Sequence, residues 1–254
     1  MRFAKDSLVI SPERDVPLLR QVRNSGFVSH GQLFGFMEYA GIDHCRSSYN
    51  WRTRRLVSSG LLSVCDGKFG TGSAVYRITR LGLATLEHHG HFTTALHSST
   101  EHLPHPSVVF HALELNTVHL ALARNQLLAG WHSEVEIASF NSISRLPYQK
   151  DYDAVVDVWI GEKKTCFALE YERSLKSSGR YQRVRQALEN EHRVSCVLYL
   201  TSGIEVLMHL LHVFESLGVN LAFADSRDFT RSLLDTEVLS NQRNGRIRFM
   251  ELLQ

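Results

Sequence analysis

The sequence predicts a mixed α/β chain in two parts, and three observations carry that expectation. At 254 residues, 43% hydrophobic and 21% charged with only 16 Gly and 5 Pro, the composition is globular. It excludes collagen-like, low-complexity and broadly disordered chains. Residues 1–90 show helical periodicity interrupted by one hairpin, whereas residues beyond 108 alternate strand-like apolar runs with helical ones. Charge divides in the same way: the net is +2, yet residues 1–90 hold 12 basic and 7 acidic side chains against 16 and 19 in the remainder. A basic part beside a slightly acidic one points to docking on an anion by the first and to carboxylates with another use in the second. Cys45, Cys65, Cys166 and Cys196 are scattered without a CxxC, so neither a zinc cage nor a disulfide framework is indicated. No apolar run approaches the ~18 residues of a membrane span, and no signal-peptide core is visible. The expected setting is the cytoplasm, with no membrane partner.

Within residues 1–90, Ser11 with Pro12 opens a helix through about Ser25, an N-cap followed by Pro where its missing N–H costs nothing. Ser29 caps a second helix through Tyr39, and a third runs from about Cys45 to Ser58, stopping at Gly60. Leu61–Cys65 and Ala74–Ile78 alternate as strands around the Gly-rich tip 66–72, and Thr79 caps a helix from Arg80 to His88. This order is that of a winged helix. Its third helix carries Arg46, Ser48, Tyr49, Arg52, Arg54 and Arg55, and its four arginines are read as clustered without a balancing acid. Such a face suits a DNA major groove, with Lys68 at the hairpin tip on an adjacent phosphate. A protein-interaction module with solvated arginines is the alternative.

The stretch from His88 to Ser107 is the least patterned, and residues 91–107 read as a linker to a second domain at 108–254. Its histidines match no metal-ligand spacing. Beyond it, a helix is expected from His111 to Leu128, then strands at Ser133–Ile137, Asp153–Ile160 and Thr165–Glu172, the last two joined by a turn at residues 161–164. A long helix from about Arg173 to Asn190, a strand at Val194–Leu200, a helix at Ile204–Leu217 and a strand at Val219–Ala224 complete the pattern. Residues 227–254 are weakly patterned, and Arg243, Arg246 and Arg248 there read as contacts to DNA or a partner, or as a solvated tail.

Acids stand in or at the ends of these strands, where burial is costly unless they bind something. Glu170 and Glu172 lie two apart and share a face, and the hairpin brings Asp153 towards them. The three are hard oxygen ligands suited to Mg²⁺ or Mn²⁺. Lys176, expected one turn into the next helix, can point back at the site. Arg173, Lys176, Arg180 and Arg183 are expected on one helical face, a stripe suited to phosphates. Carboxylates with a nearby cation are the parts of metal-assisted phosphodiester cleavage. The alternative is a set of solvent-facing acids paired with Arg173 and Lys176.

The run from His111 to Asp225 resembles the replication-relaxation family, which includes the MOBC class of plasmid relaxases. The resemblance rests on His111-Ala-Leu-Glu-Leu-Asn116, Trp131-His-Ser-Glu134, Tyr152-Asp-Ala-Val-Val156 and Phe167-Ala-Leu-Glu-Tyr-Glu-Arg-Ser174, and with the winged helix it spans roughly residues 10–230. It implies a restriction-endonuclease-like core of the PD-(D/E)xK type. Asp153 then matches the first acid and Glu170 the second, with Glu134 or Glu136 as a preceding acid. Two departures stand out: Tyr152 replaces the proline, and Glu172 stands where the lysine is expected, which implies that Lys176 takes that role or that the site only binds. By this resemblance the chain is a relaxase, a metal-dependent nickase acting at a plasmid or integrative-element transfer origin to initiate conjugative mobilisation, with accessory mobilisation and coupling proteins as partners. Water is the expected nucleophile rather than Tyr152, Tyr171 or Tyr181. A non-catalytic DNA-binding regulator or replication accessory protein is the competing reading, and a defence or repair nuclease of the same fold is a third.

Overall fold

In the computed structural model, residues 9–65, 69, 72–94, 105–243 and 245–254 are described. The chain is mixed α/β: the described residues form ten α-helices, a three-stranded antiparallel sheet and a seven-stranded mixed sheet. They divide into two compact units, Met1–Asn116 and Thr117–Gln254. Among the described residues no helix is long and apolar enough to cross a membrane.

In the first unit, helices α1 (Asp15–Ser25), α2 (His30–Tyr39), α3 (Arg46–Ser58) and α4 (Arg80–His88) surround strands β1 (Val28–Ser29), β2 (Leu62–Val64) and β3 (Val75–Ile78), paired in the order β1-β3-β2. Ser29 closes a capping box with Gln32, and the Thr79 hydroxyl accepts the Gly82 N–H, so both N-termini begin where their side chains satisfy free backbone donors. The expected cap at Ser11 is corrected: α1 starts at Asp15 after a turn, and it is the Ser11 carbonyl that accepts the Asp15 N–H, at 2.9 Å. Leu18, Leu19, Val22, Leu33, Leu56 and Leu86 make the buried interior. Helix α5 (Pro106–Arg124) begins earlier than expected, and the division between the units falls within it. The tip residues 66–68 and 70–71, Lys68 among them, and linker residues 95–104 lie outside the described residues.

The second unit is built on β4 (Leu128–Ser133), β5 (Ala154–Ile160), β6 (Lys163–Glu172), β7 (Cys196–Thr201), β8 (Asn220–Asp225), β9 (Glu237–Ser240) and β10 (Arg246–Arg248). They lie side by side in sequence order. Strands β4, β5 and β6 are antiparallel neighbours, β6, β7 and β8 run parallel, and β9 and β10 return antiparallel. Gly161, at φ +61°, makes the β5–β6 turn, a conformation that favours glycine. Helices α6 (Glu134–Ile143), α7 (Ser178–Glu189) and α8 (Ile204–Val213) follow β4, β6 and β7. Leu207 and Leu210 of α8 and Tyr181 and Leu188 of α7 pack with Val155, Ala168, Val197 and Tyr199 on one sheet face. On the other, Phe249 meets Phe167 and Phe229 edge-on.

Two sequence expectations are overturned here, and one open alternative is removed. Residues 133–137 are not a strand: Ser133 ends β4, and a capping box between Ser133 and Glu136 starts α6 at Glu134. The helix expected from Arg173 begins at Ser178; Arg173–Ser177 form a bend, with Ser177 extended at φ −65°, ψ 151°. Residues 227–254 are no tail. They form α9 (Ser226–Ser232), a 3₁₀ turn (Leu233–Asp235), β9, β10 and α10 (Phe249–Leu252), and Val238 and Phe249 are completely buried.

Candidate functional site: a buried acid–lysine cluster

The hairpin register decides where the acids meet. Ala154 of β5 pairs with Leu169 of β6, so Asp153, one residue ahead of β5, stands beside Glu170. Period-two alternation puts Ala168, Glu170 and Glu172 on one face of β6. Ala168 belongs to the apolar core, so this face passes from core to carboxylates at the end of the sheet, with Tyr199 and Thr201 of β7 alongside Glu170 and Glu172. Both glutamates are only 6% exposed. The Asp153 Oδ2 accepts the Tyr171 N–H at 2.7 Å, which ties the head of β5 to the end of β6.

Two lysines neutralise this cluster. Lys150 Nζ lies 2.6 Å from Glu170 Oε1, and Lys176 donates to Glu172 Oε1. Lys176 therefore reaches the site as expected, but from the bend before α7 rather than from a helix, and its backbone N–H is fixed on the Tyr181 hydroxyl at 3.0 Å. Burial pushes the Glu170 carboxyl up to about 7; Lys150 opposes the rise, and the charges of Asp153 and Glu172 add to it. The main cause is the loss of solvent around the carboxyl, to which the neighbouring acids add, so a cation beside it is favoured.

Carboxylate oxygens are the donor type that suits Mg²⁺ or Mn²⁺. Among the described residues, however, no group of three or more His, Cys, Asp or Glu side chains is gathered closely enough to hold a metal ion. The glutamates instead hold lysines.

The other expected residues of this unit lie apart in role. Glu136 closes the Ser133 capping box, and Glu134 is exposed on the first turn of α6. Arg180 and Arg183 are exposed on α7, while Arg173 lies in the bend, so the expected four-residue helical stripe does not form. Tyr152 is completely buried with its hydroxyl on Glu191 at 3.0 Å, and burial pushes its ionisation well up.

In the first unit, the reading of an arginine cluster without a balancing acid is corrected. Arg52 is 4% exposed and pairs with Asp43 through Nε and Nη2 (3.1 and 3.2 Å) and with Asp15 through Nη1 (3.4 Å). Arg55 pairs with the same Asp15 and donates to the Val9 carbonyl at 2.9 Å, and Arg14 reaches Asp43 at 2.5 Å. Tyr49 is completely buried, its hydroxyl on the His30 carbonyl at 2.9 Å. Half-buried Ser48 accepts from Arg14 at 3.2 Å. The exposed face of α3 is instead Arg46, Ser47, Trp51 and Arg54, with Trp51 62% exposed. Sequence reasoning missed Lys150 and the Asp15–Asp43 pair. Lys150 stands three residues before Asp153 but meets Glu170, twenty residues on, only in the fold; Asp15 and Asp43 are likewise distant from Arg52 or one another in sequence and join it only there.

The sequence matches no known family model, and neither a curated protein nor a solved structure matches the chain. The fold and the site therefore define a class in physical terms: a mixed α/β chain with a buried carboxylate–lysine cluster at the end of its main sheet.

Proposed function

We propose that the protein is a metal-dependent DNA endonuclease that nicks one strand, with its first unit holding DNA. The observation that carries this reading is the juxtaposition of Asp153 and Glu170 across the β5–β6 register, with Glu172, Lys150 and Lys176 around them. Charged groups are costly to bury in a sheet for stability alone. The element order supports the reading: an antiparallel β4–β5–β6 meander, the α7 crossover and the parallel strand β7 are compatible with the restriction-endonuclease-like core that the resemblance implies. In the first unit, three helices, a hairpin and a fourth helix follow the winged-helix order, and α3 exposes Arg46, Trp51 and Arg54. Restriction to a plasmid or integrative-element transfer origin rests on the resemblance to relaxases.

Asp153 and Glu170 would hold Mg²⁺ or Mn²⁺, with Glu172 beside them. The chemistry such an ion would supply there is polarisation of the phosphodiester and a lowered pKa for a bound water. The chain itself fixes Asp153 through the Tyr171 N–H, excludes bulk water from the two glutamates, and supplies the Lys176 cation to offset charge that develops on the phosphate. Arg46 and Arg54 would contact backbone phosphates or guanine edges.

Conversion of supercoiled plasmid to open circles in Mg²⁺ or Mn²⁺ tests this. Asp153→Ala and Glu170→Ala should each lose nicking by more than about a hundredfold while keeping DNA affinity. Normal nicking by either variant would refute the assignment. One observation favours a second reading, a DNA-binding protein without catalysis: both glutamates already carry lysine counter-ions. That reading gives no nicking by the wild-type protein, and loss of binding in Arg54→Ala.

A further inference from the structure

We propose that Trp51 is a base-reading residue of the first unit, an apolar contact to the C5-methyl group of thymine in the major groove of duplex DNA. The inference rests on the DNA-binding reading above and names a specificity-determining residue to which that reading gives no role.

Trp51 stands midway along the solvent face of α3. Ser47, Trp51, Arg54 and Ser58 are all exposed, and their helical spacing places them in a single stripe. At 62% exposure the indole ring lies largely in water, without the burial that makes so large an apolar side chain favourable. The ring is nonetheless held. The Arg55 guanidinium lies 5.3 Å from the ring centre. Arg55 is itself fixed by the completely buried Asp15 and by the Val9 carbonyl at 2.9 Å. The inward charge network therefore has an outward consequence: Asp15 holds Arg55, and Arg55 braces Trp51. An aromatic ring positioned in advance loses little freedom on binding, and such rings are the side chains that anchor interfaces.

The charges around the ring point to the partner. Arg46 rests over the Phe34 ring at 4.6 Å and Arg54 donates to the Asn50 carbonyl at 3.1 Å; among the described residues neither pairs with an acid. Helix α3 has no Asp or Glu, and the carboxylates of Asp15 and Asp43 are buried against Arg14, Arg52 and Arg55. An apolar ring between two solvent-facing cations complements a polyanion that also offers an apolar group. Duplex DNA does so in its major groove at one base: thymine presents its C5-methyl there, and apolar side chains recognise it by contact. The 13 residues of α3 span about 20 Å, enough to cross that groove with Arg46 and Arg54 on flanking phosphates.

Fluorescence anisotropy of the whole protein with two labelled duplexes reads this directly: an alternating adenine–thymine duplex, and the same duplex with uracil, which lacks the methyl group, in place of thymine. Wild type should bind the thymine duplex about fivefold more tightly than the uracil duplex. Trp51→Ala should bind the two equally, with a melting temperature near wild type because the ring is exposed. Trp51→Phe, which keeps an apolar ring, should retain most of the preference. Equal affinity of wild type for the two duplexes, or an undiminished thymine preference in Trp51→Ala, would overturn the role of Trp51 and leave the DNA reading standing. No binding of either duplex by wild type at low salt would overturn both, and leave the α3 face to an acidic protein partner.

Discussion

At the scale of single residues, Glu170 is where burial and charge conflict most. Its carboxyl is raised from 4.5 to about 7, so between those values the folded state retains a proton that the unfolded chain gives up. Glu170 then contributes stability that is fully present below pH ~4.5 and is lost as pH rises through about 7. In the metal-free protein this loss is on the order of 3 kcal/mol. Denaturant unfolding followed from pH 4 to pH 8 should show the decline, and Glu170→Gln should flatten it. An unchanged slope in that variant would place the titration elsewhere. The spacing of Glu170 and Glu172 made their shared face legible in the sequence, because strand alternation is local. Lys150 was not, because its contact with Glu170 spans twenty residues.

At the scale of elements, α3 separates two kinds of arginine that look alike in sequence. Arg52 and Arg55 turn inward to Asp15 and Asp43 and join α3 to α1 and to the residues ahead of α3. Arg46 and Arg54 face solvent. Arg52→Ala should therefore cost about 3–5 kcal/mol of stability, since it leaves two buried carboxylates without their shared partner. Arg54→Ala should leave the melting temperature near wild type and, if the proposed DNA contact holds, weaken DNA binding with a shallower salt dependence. Thermal melts paired with binding isotherms distinguish the two, and a folded, stable Arg52→Ala would remove Arg52 from the core network. The boundaries of α2 and α4 were readable because Ser29 and Thr79 cap them through their own neighbours. Ser133–Glu136 is a motif of the same kind. It was passed over because its alternating acids and apolar residues also fit a strand, and only the end of β4 at Ser133 decides between them.

At the scale of the whole chain, the last 28 residues change the picture most. They extend the main sheet beyond β8 and return Phe249 to the sheet face opposite α7 and α8, against Phe167 and Phe229. Phe249→Ala should destabilise the second unit by about 3–5 kcal/mol, measurable as a shift in denaturant midpoint; an unchanged midpoint would mean that the segment adds little. Its apolar residues are spread over short elements with no sustained period, so sequence pattern alone gives it no structural assignment. Taken by itself, the sequence determined the mixed α/β class, the helices and hairpin of the first unit, the β5–β6 hairpin beside which Asp153, Glu170 and Glu172 meet, and the reach of Lys176. These follow from periodicity, caps and turns, which act over a few residues. Only the tertiary structure decided which charges are partners: that Asp15 and Asp43 take Arg52, that Lys150 takes Glu170, and that the chain's end closes the sheet. Those pairings join residues far apart along the chain, and their strength comes from desolvation, which arises only when the fold removes water from both groups at once.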